Sequence, residues 1–173
     1  MAGGANLNLR SFLWRAENLY PNQEIVSRTH EGIHRYTFAE YGERVRQLAS
    51  ALDAFGIERG DRVGTFAWNN HWHQEAYYGV SSMGAQTHMI NLLLPDGHIQ
   101  HIVDDAQDRL LIVDPVMLEK LEGAYDEDAF SSVEQYVVMG DAVPETSLEP
   151  VTDYESFIAD GDPEYTLPEL PED

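Results

Sequence analysis

The chain has 173 residues, 43% hydrophobic and 10% aromatic, with 31 acidic against 10 basic side chains and a formal net charge of -21. That length suits one domain with a real core, the apolar and aromatic content excludes a disordered chain, and so negative a surface disfavours nucleic acid and anionic membranes. With no cysteine, no apolar run near the roughly 20 residues of a bilayer span and no signal-peptide pattern at the N-terminus, the expectation is a soluble cytoplasmic protein without disulfides or thiolate chemistry.

Leu9, Phe12, Leu13, Ala16, Leu19 and Tyr20 fall at helical spacing and predict a first helix over residues 9–20, with Asn8 as cap and Pro21 as stop. Residues 24–28 and 33–36 read as a hairpin joined through His30, Glu31 and Gly32. Thr37 with Glu40 three residues on forms a capping box. The stripe Phe38, Tyr41, Val45, Leu48, Ala49, Leu52 and Phe55 then predicts a long helix stopped by Gly56.

Beyond this point four apolar runs, 62–67, 86–90, 109–113 and 135–139, begin 24, 23 and 26 residues apart. Each interval fits a strand, a helix and two turns, and helices are predicted over 70–83, 97–106 and 116–122, the last capped by Asp114 with Pro115 at its first position. The fold class expected is α/β, a mostly parallel sheet flanked by helices. From Gly140 onward 5 of the 8 prolines appear, only residues 152–159 read as helical, and 165–173 read as an extended linker. The division expected is an α/β part over 1–139 and an acidic, Pro-rich segment over 140–173. A chain ending in a linker implies the front part of a longer polypeptide.

Charge is unevenly placed. Residues 1–120 hold 15 acidic and all 10 basic side chains, whereas 121–173 hold 16 acidic and no basic ones. A halophilic origin accounts for this, because the Debye length shrinks to about 3 Å at 1 M salt. An acidic tail for a basic partner is the other reading.

No Gly-rich loop leads into a lysine, since the single Lys120 follows Leu118 and Glu119, and no Gly-x-Ser-x-Gly elbow is present. His71 and Glu75 share a helix face, and so do His98, His101 and Asp105, a spacing able to offer three metal ligands. Ile99, Ile102, Val103 and Ala106 form the core stripe of that second helix, which leaves its histidines on a solvated flank, and no metal site is expected. In open α/β sheets ligands bind beyond the carboxyl ends of strands, which singles out Trp68, Asn69 and Asn70 and the loop from His88 to Asn91. Trp68 as a packing residue and the asparagines as turn formers or caps is the alternative.

The Tyr36-Thr37-Phe38 step, Gly60-Asp61-Arg62-Val63, Trp68-Asn69, Thr87-His88-Met89-Ile90-Asn91 and the run RLLIVD at 109–114 together resemble the N-terminal part of adenylate-forming, AMP-binding acyl-CoA synthetases. The likeness is to the medium- and long-chain fatty acid CoA ligase group and covers about residues 8–160. It implies the N-terminal portion of that enzyme's large domain, and an activity joining a carboxylic acid to CoA through an acyl-adenylate, with ATP, Mg2+ and CoA.

The resemblance also marks departures. The family's phosphate loop ending in Pro-Lys-Gly belongs just after a linker such as residues 165–173, and its catalytic lysine belongs further on. No catalytic residue is carried over, the chain alone is expected to be inactive, and ATP, Mg2+ and CoA are not expected to bind it tightly. Leu93 stands where the family usually has Arg, and Pro95, Asp96 and Gly97 replace a Ser-Pro-Glu helix start. His88 and Asn91 are the substrate-side candidates. A homodimer is compatible with the likeness, and the alternative function is a non-enzymatic dimerisation or partner-binding module.

Overall fold

A computed structural model of the chain describes residues 8–29 and 32–170. Helix α1 (Arg10–Leu19) leads into the antiparallel strands β1 (Glu24–Arg28) and β2 (Ile33–Thr37), paired from Glu24 with Thr37 to Arg28 with Ile33. His30 and Glu31 of the expected hairpin turn lie outside the described residues. α1 has no side-chain cap, so the Asn8 cap is corrected: the Asn8 backbone carbonyl accepts from Ser11 N instead. Helix α2 (Phe38–Phe55) starts on the expected capping box, with Glu40 N donating to Thr37 Oγ1 and Thr37 N to Glu40 Oε2, and ends at Gly56 with φ 97.

The remaining elements alternate: β3 (Arg62–Phe66), α3 (His71–Met83), β4 (Gln86–Met89), α4 (Asp96–Ala106) and β5 (Leu110–Val113). A single 3-10 turn over Pro115–Met117 then leads into α5 (Leu118–Ala124), and β6 (Gln135–Val138), β7 (Val151–Asp153) and α6 (Tyr154–Ile158) complete the described chain. The five strands pair in parallel in the order β4-β3-β5-β6-β7. Period-2 alternation divides their side chains between two cores. Val63, Leu110, Ile112 and Val137 meet α2, α3 and α6, while Phe66, Leu111, Val113, Tyr136 and Val138 meet α4 and α5. All four residues of β5 are buried, as expected of a central parallel strand covered on both faces.

Two further expectations are revised. The helix expected over 116–122 splits into the 3-10 turn and α5, although Asp114 does cap the start through Val116 N. The helix expected over 152–159 yields its first residues to β7, which has no apolar run of its own and is a strand because β6 offers a free edge. Residues 165–170 have no regular secondary structure, yet Tyr165 and Leu167 pack against the α2-side core. Arg46 Nε donates to Pro163 O at 2.8 Å, Arg10 donates to Pro168 O, and a Cβ at Gly161 would sit 2.2 Å from Gln47 O, so the segment is drawn tightly onto α2 and the start of α1.

A polar clamp holds three helices together. Arg44 on α2 donates from Nε to Glu75 Oε1 of α3 at 2.8 Å and from Nη2 to Glu155 Oε1 of α6 at 2.8 Å. Trp72 Nε1 adds a 2.8 Å bond to the same Glu155 oxygen. No helix among the described residues is long and apolar enough to cross a membrane.

Candidate functional site

In sequence order the parallel sheet runs second, first, third, fourth, fifth, so connections depart in opposite directions from the gap between β3 and β5. That gap is the topological switch point, and the loops beyond its carboxyl end are where an open α/β sheet admits a ligand. A cleft of about 140 Å3 opens there, lined by Arg28, Trp68, Asn69, Asn70 and Asp114 among others.

Both loops are held from beneath. Asn70 caps α3 by accepting from His73 N at 2.9 Å and turns its amide nitrogen to Asp114 Oδ2 at 3.2 Å, tying the β3 loop to the β5 loop across the switch point. Asp114 uses its other oxygen to accept from Val116 N at 3.1 Å. The expected turn-and-cap role of Asn70 is therefore what the structure shows, whereas Trp68 is 53% exposed and does not pack into the core.

His73 is the residue that spacing did not single out for this loop. Its Nδ1 lies 3.2 Å from Trp68 O and its Nε2 3.0 Å from Thr65 Oγ1. A carbonyl only accepts, so the proton sits on Nδ1 and Thr65 donates to Nε2. Burial lowers the His73 pKa and keeps this neutral tautomer. The ring is a strut that sets where the Trp68 backbone turns.

The hairpin is fixed to the same site. His71 N donates to Ser27 Oγ of β1 at 3.0 Å, and the His71 ring stacks on His34 of β2 with centroids 3.9 Å apart and planes 9° apart. Burial, reinforced by His34 and Arg44, drives the His71 pKa from 6.5 down to about 3. His34 is lowered as well, by burial first and Arg44 second.

The two substrate-side candidates have separate settings. Asn91 lies exposed on the loop after β4, where its side-chain oxygen accepts from Leu93 N at 2.9 Å and turns the chain. Leu93, two residues on, is 80% exposed. His88 sits inside β4 with Nδ1 2.7 Å from Oδ2 of the fully buried Asp108, whose pKa burial pushes up. It is level with Gly64 and Leu111, on the α4 side of the sheet. A Cβ at Gly64 would lie 2.3 Å from Leu111 Cδ2 and 3.1 Å from Asp108 Cγ, so that glycine makes room for the carboxylate. The structure therefore does not bring His88 and Asn91 together on one ligand. Among the described residues no three His, Cys, Asp or Glu side chains converge as metal ligands.

Comparison with known proteins adds sequence to this geometry. A family model described as AMP-binding enzyme matches residues 13–171. A long-chain-fatty-acid–CoA ligase of Thermus thermophilus is 41% identical over 143 residues, which are 82% of this chain and 26% of the relative. A medium-chain-fatty-acid–CoA ligase of Ectopseudomonas oleovorans is 31% identical over 169 residues, 96% of this chain and 31% of the relative. The solved structure of a Mycobacterium tuberculosis fatty acyl CoA synthetase superposes with a TM-score of 0.77 at 18% identity, over 94% of this chain and 30% of that one. The chain thus spans about a quarter to a third of the length of the relatives it matches.

Proposed function

The chain belongs to the AMP-binding enzyme family, and from that premise we propose that it forms the N-terminal α/β portion of a fatty acid CoA ligase. The reaction is that of an acid–thiol ligase: carboxylic acid, ATP and CoA give acyl-CoA, AMP and pyrophosphate. The observation that carries this reading is the 41% identity to a long-chain ligase across 82% of the chain.

Within that enzyme the chain's own residues act as scaffold and substrate-side rim. The His73 strut and the Asn70–Asp114 bridge hold the two switch-point loops in one geometry, so that Trp68 and Asn69 stay presented outward. Asn91 is the rim residue on the neighbouring β4 loop. His88 acts on that loop from below, through its bond to Asp108 in the body of the sheet.

We infer that adenylation draws on residues besides those of this chain. A carboxylate attacking a triphosphate needs cationic donors or a divalent ion to neutralise both partners. The switch-point cleft is lined by one cation, Arg28, and one carboxylate, Asp114. ATP and CoA are therefore substrates of a larger assembly to which this chain contributes one wall. Isolating the native polypeptide tests the reading: this chain should make up a little under a third of it, in keeping with the 143 and 169 aligned residues that cover 26% and 31% of the two relatives. A native polypeptide ending with this chain would favour a partner-binding module instead.

The cellular setting we propose is a cytoplasm of high salt. A net charge of -21 self-repels in dilute buffer and is screened at molar salt. The thermal midpoint is expected to rise from dilute buffer to molar KCl, and a midpoint indifferent to KCl contradicts the proposal. Helix α1 buries only Leu13 and leaves Phe12, Trp14, Leu19 and Tyr20 about half exposed or more, which supports homodimer formation along this helix. Sedimentation as a monomer at high protein concentration contradicts that assignment.

A further inference from the structure

The β1–β2 pair is held differently at its two ends. Beside α2, Ile25 and Tyr36 pack against Tyr41 and Val45, and Phe38 N donates to Gln23 O at 2.9 Å. Towards its far end the pair meets α3 at His71. This residue opens the helix, so its backbone N–H has no acceptor within α3 and donates to Ser27 Oγ instead. The His71 ring lies face to face with His34 of β2, and Arg28 and Thr29, just beyond Ser27, form part of the wall of the switch-point cleft.

This ring contact suits neutral imidazoles. His71 Nδ1 and His34 Nε2 are both buried without a hydrogen-bond partner. Protonating either ring puts an N–H on both of its nitrogens, so one N–H then points at no acceptor. Two charged rings with centroids 3.9 Å apart would also repel. Burial is the largest influence on both rings and keeps them neutral, and Arg44 of α2 acts in the same sense. Glu155 of α6 favours a charge on both and Glu40 of α2 favours one on His34, with smaller effect. Glu155 is already committed to Arg44 and Trp72, Glu75 of α3 is committed to Arg44, and burial holds the Tyr36 hydroxyl of β2 protonated.

We infer that His34 and His71 form an acid-released latch: protonation parts the far half of the β1–β2 pair from α3 while the parallel sheet stays folded, and so opens the switch-point cleft on its Arg28 side. The inference concerns this chain alone and does not rest on the ligase reading. Once released, the rings are hydrated and take up protons near pH 6.5, whereas His71 in the closed state resists them down to about 3. Between about pH 7.5 and pH 5 the released population therefore grows by about thirtyfold through His71 alone. His34, lowered by burial first, adds in the same sense.

Hydrogen exchange at the His71 amide reads the latch directly, because release removes its acceptor, Ser27 Oγ. In the 173-residue chain at molar KCl its protection, corrected for the intrinsic pH dependence of exchange, should fall by about thirtyfold or more from pH 7.5 to pH 5. At both pH values it should lie well below the protection of the Leu111 and Ile112 amides in the buried strand β5. The double substitution His34→Phe with His71→Phe keeps a ring contact and the backbone donor, and should remove the fall at residue 71. Protection of the His71 amide equal to that of β5 at pH 5 would overturn the inference, since the pair would then part only when the whole chain unfolds. A protection in the native chain that ignores pH, or the same fall in the double variant, would overturn it equally.

Discussion

Arg44→Met is expected to lower folding stability by about 3–5 kcal/mol, a large share of the roughly 5–15 kcal/mol typical of a domain. Methionine keeps most of the stem but removes the guanidinium that serves Glu75 and Glu155. Glu75 has a fully buried side chain, so its carboxylate is then left without a countercharge in a low-dielectric site. The measurement is denaturant unfolding in molar KCl. The double substitution Arg44→Met with Glu75→Leu should recover much of the loss, because a buried pair replaced by apolar side chains is often neutral. Arg35→Met is the control: the Arg35–Glu24 pair is more than half exposed on both sides and should contribute no more than about 1 kcal/mol. A loss below that level for Arg44→Met would show that the clamp does not hold the three helices.

The second large effect is acid lability through His71. Its pKa is about 3 in the folded chain against 6.5 ordinarily, so between those values the unfolded chain binds a proton that the folded chain refuses. Stability therefore rises with pH across this window, and falls by about 1.4 kcal/mol for each unit of acidification well below 6.5. His34 and His73, both lowered by burial, add in the same sense. Glu75 and Asp108, raised by burial, act in the opposite sense. The His71 contribution is thus read as the difference between the native chain and His71→Phe, which keeps the backbone bond to Ser27 but does not titrate. The variant should show a clearly shallower fall in unfolding free energy between pH 6.5 and pH 4. Equal slopes would mean that His71 is hydrated and titrates normally.

These two clusters mark the limit of what the primary structure discloses. Thr37 and Glu40 were legible as a cap because every group involved lies within one helical turn. The strands β3, β5 and β6 were legible because covered parallel strands leave near-continuous apolar runs, whereas the edge strand β4, with no buried residue, was placed by its interval from β3. β7 was not, since Val151, Thr152 and Asp153 are strand residues only by virtue of β6 beside them. Arg44, Glu75 and Glu155 are separated by 31 and 111 residues, and no local spacing announces that they meet.

The site shows the same division. Trp68, Asn69 and Asn70 were found from their place at a strand end, and the observed strand order sharpens this by putting them at the switch point. The strut role of His73 stayed hidden because it depends on the turn bringing Thr65 and Trp68 to opposite sides of one ring. The same holds for His88, whose partner Asp108 is 20 residues away and reaches it only beneath a glycine on the intervening strand.

We propose that this chain carries one wall of an acyl-CoA ligase and that the adenylating groups lie on other residues. The most direct test of this proposal is carboxylate-dependent exchange of pyrophosphate into ATP by the purified 173-residue chain, with Mg2+ and a fatty acid at molar KCl. No exchange above the protein-free background is expected from a chain shown to be folded by circular dichroism. Robust exchange that depends on the fatty acid would contradict it, because the phosphate-neutralising groups would then have to lie within these residues.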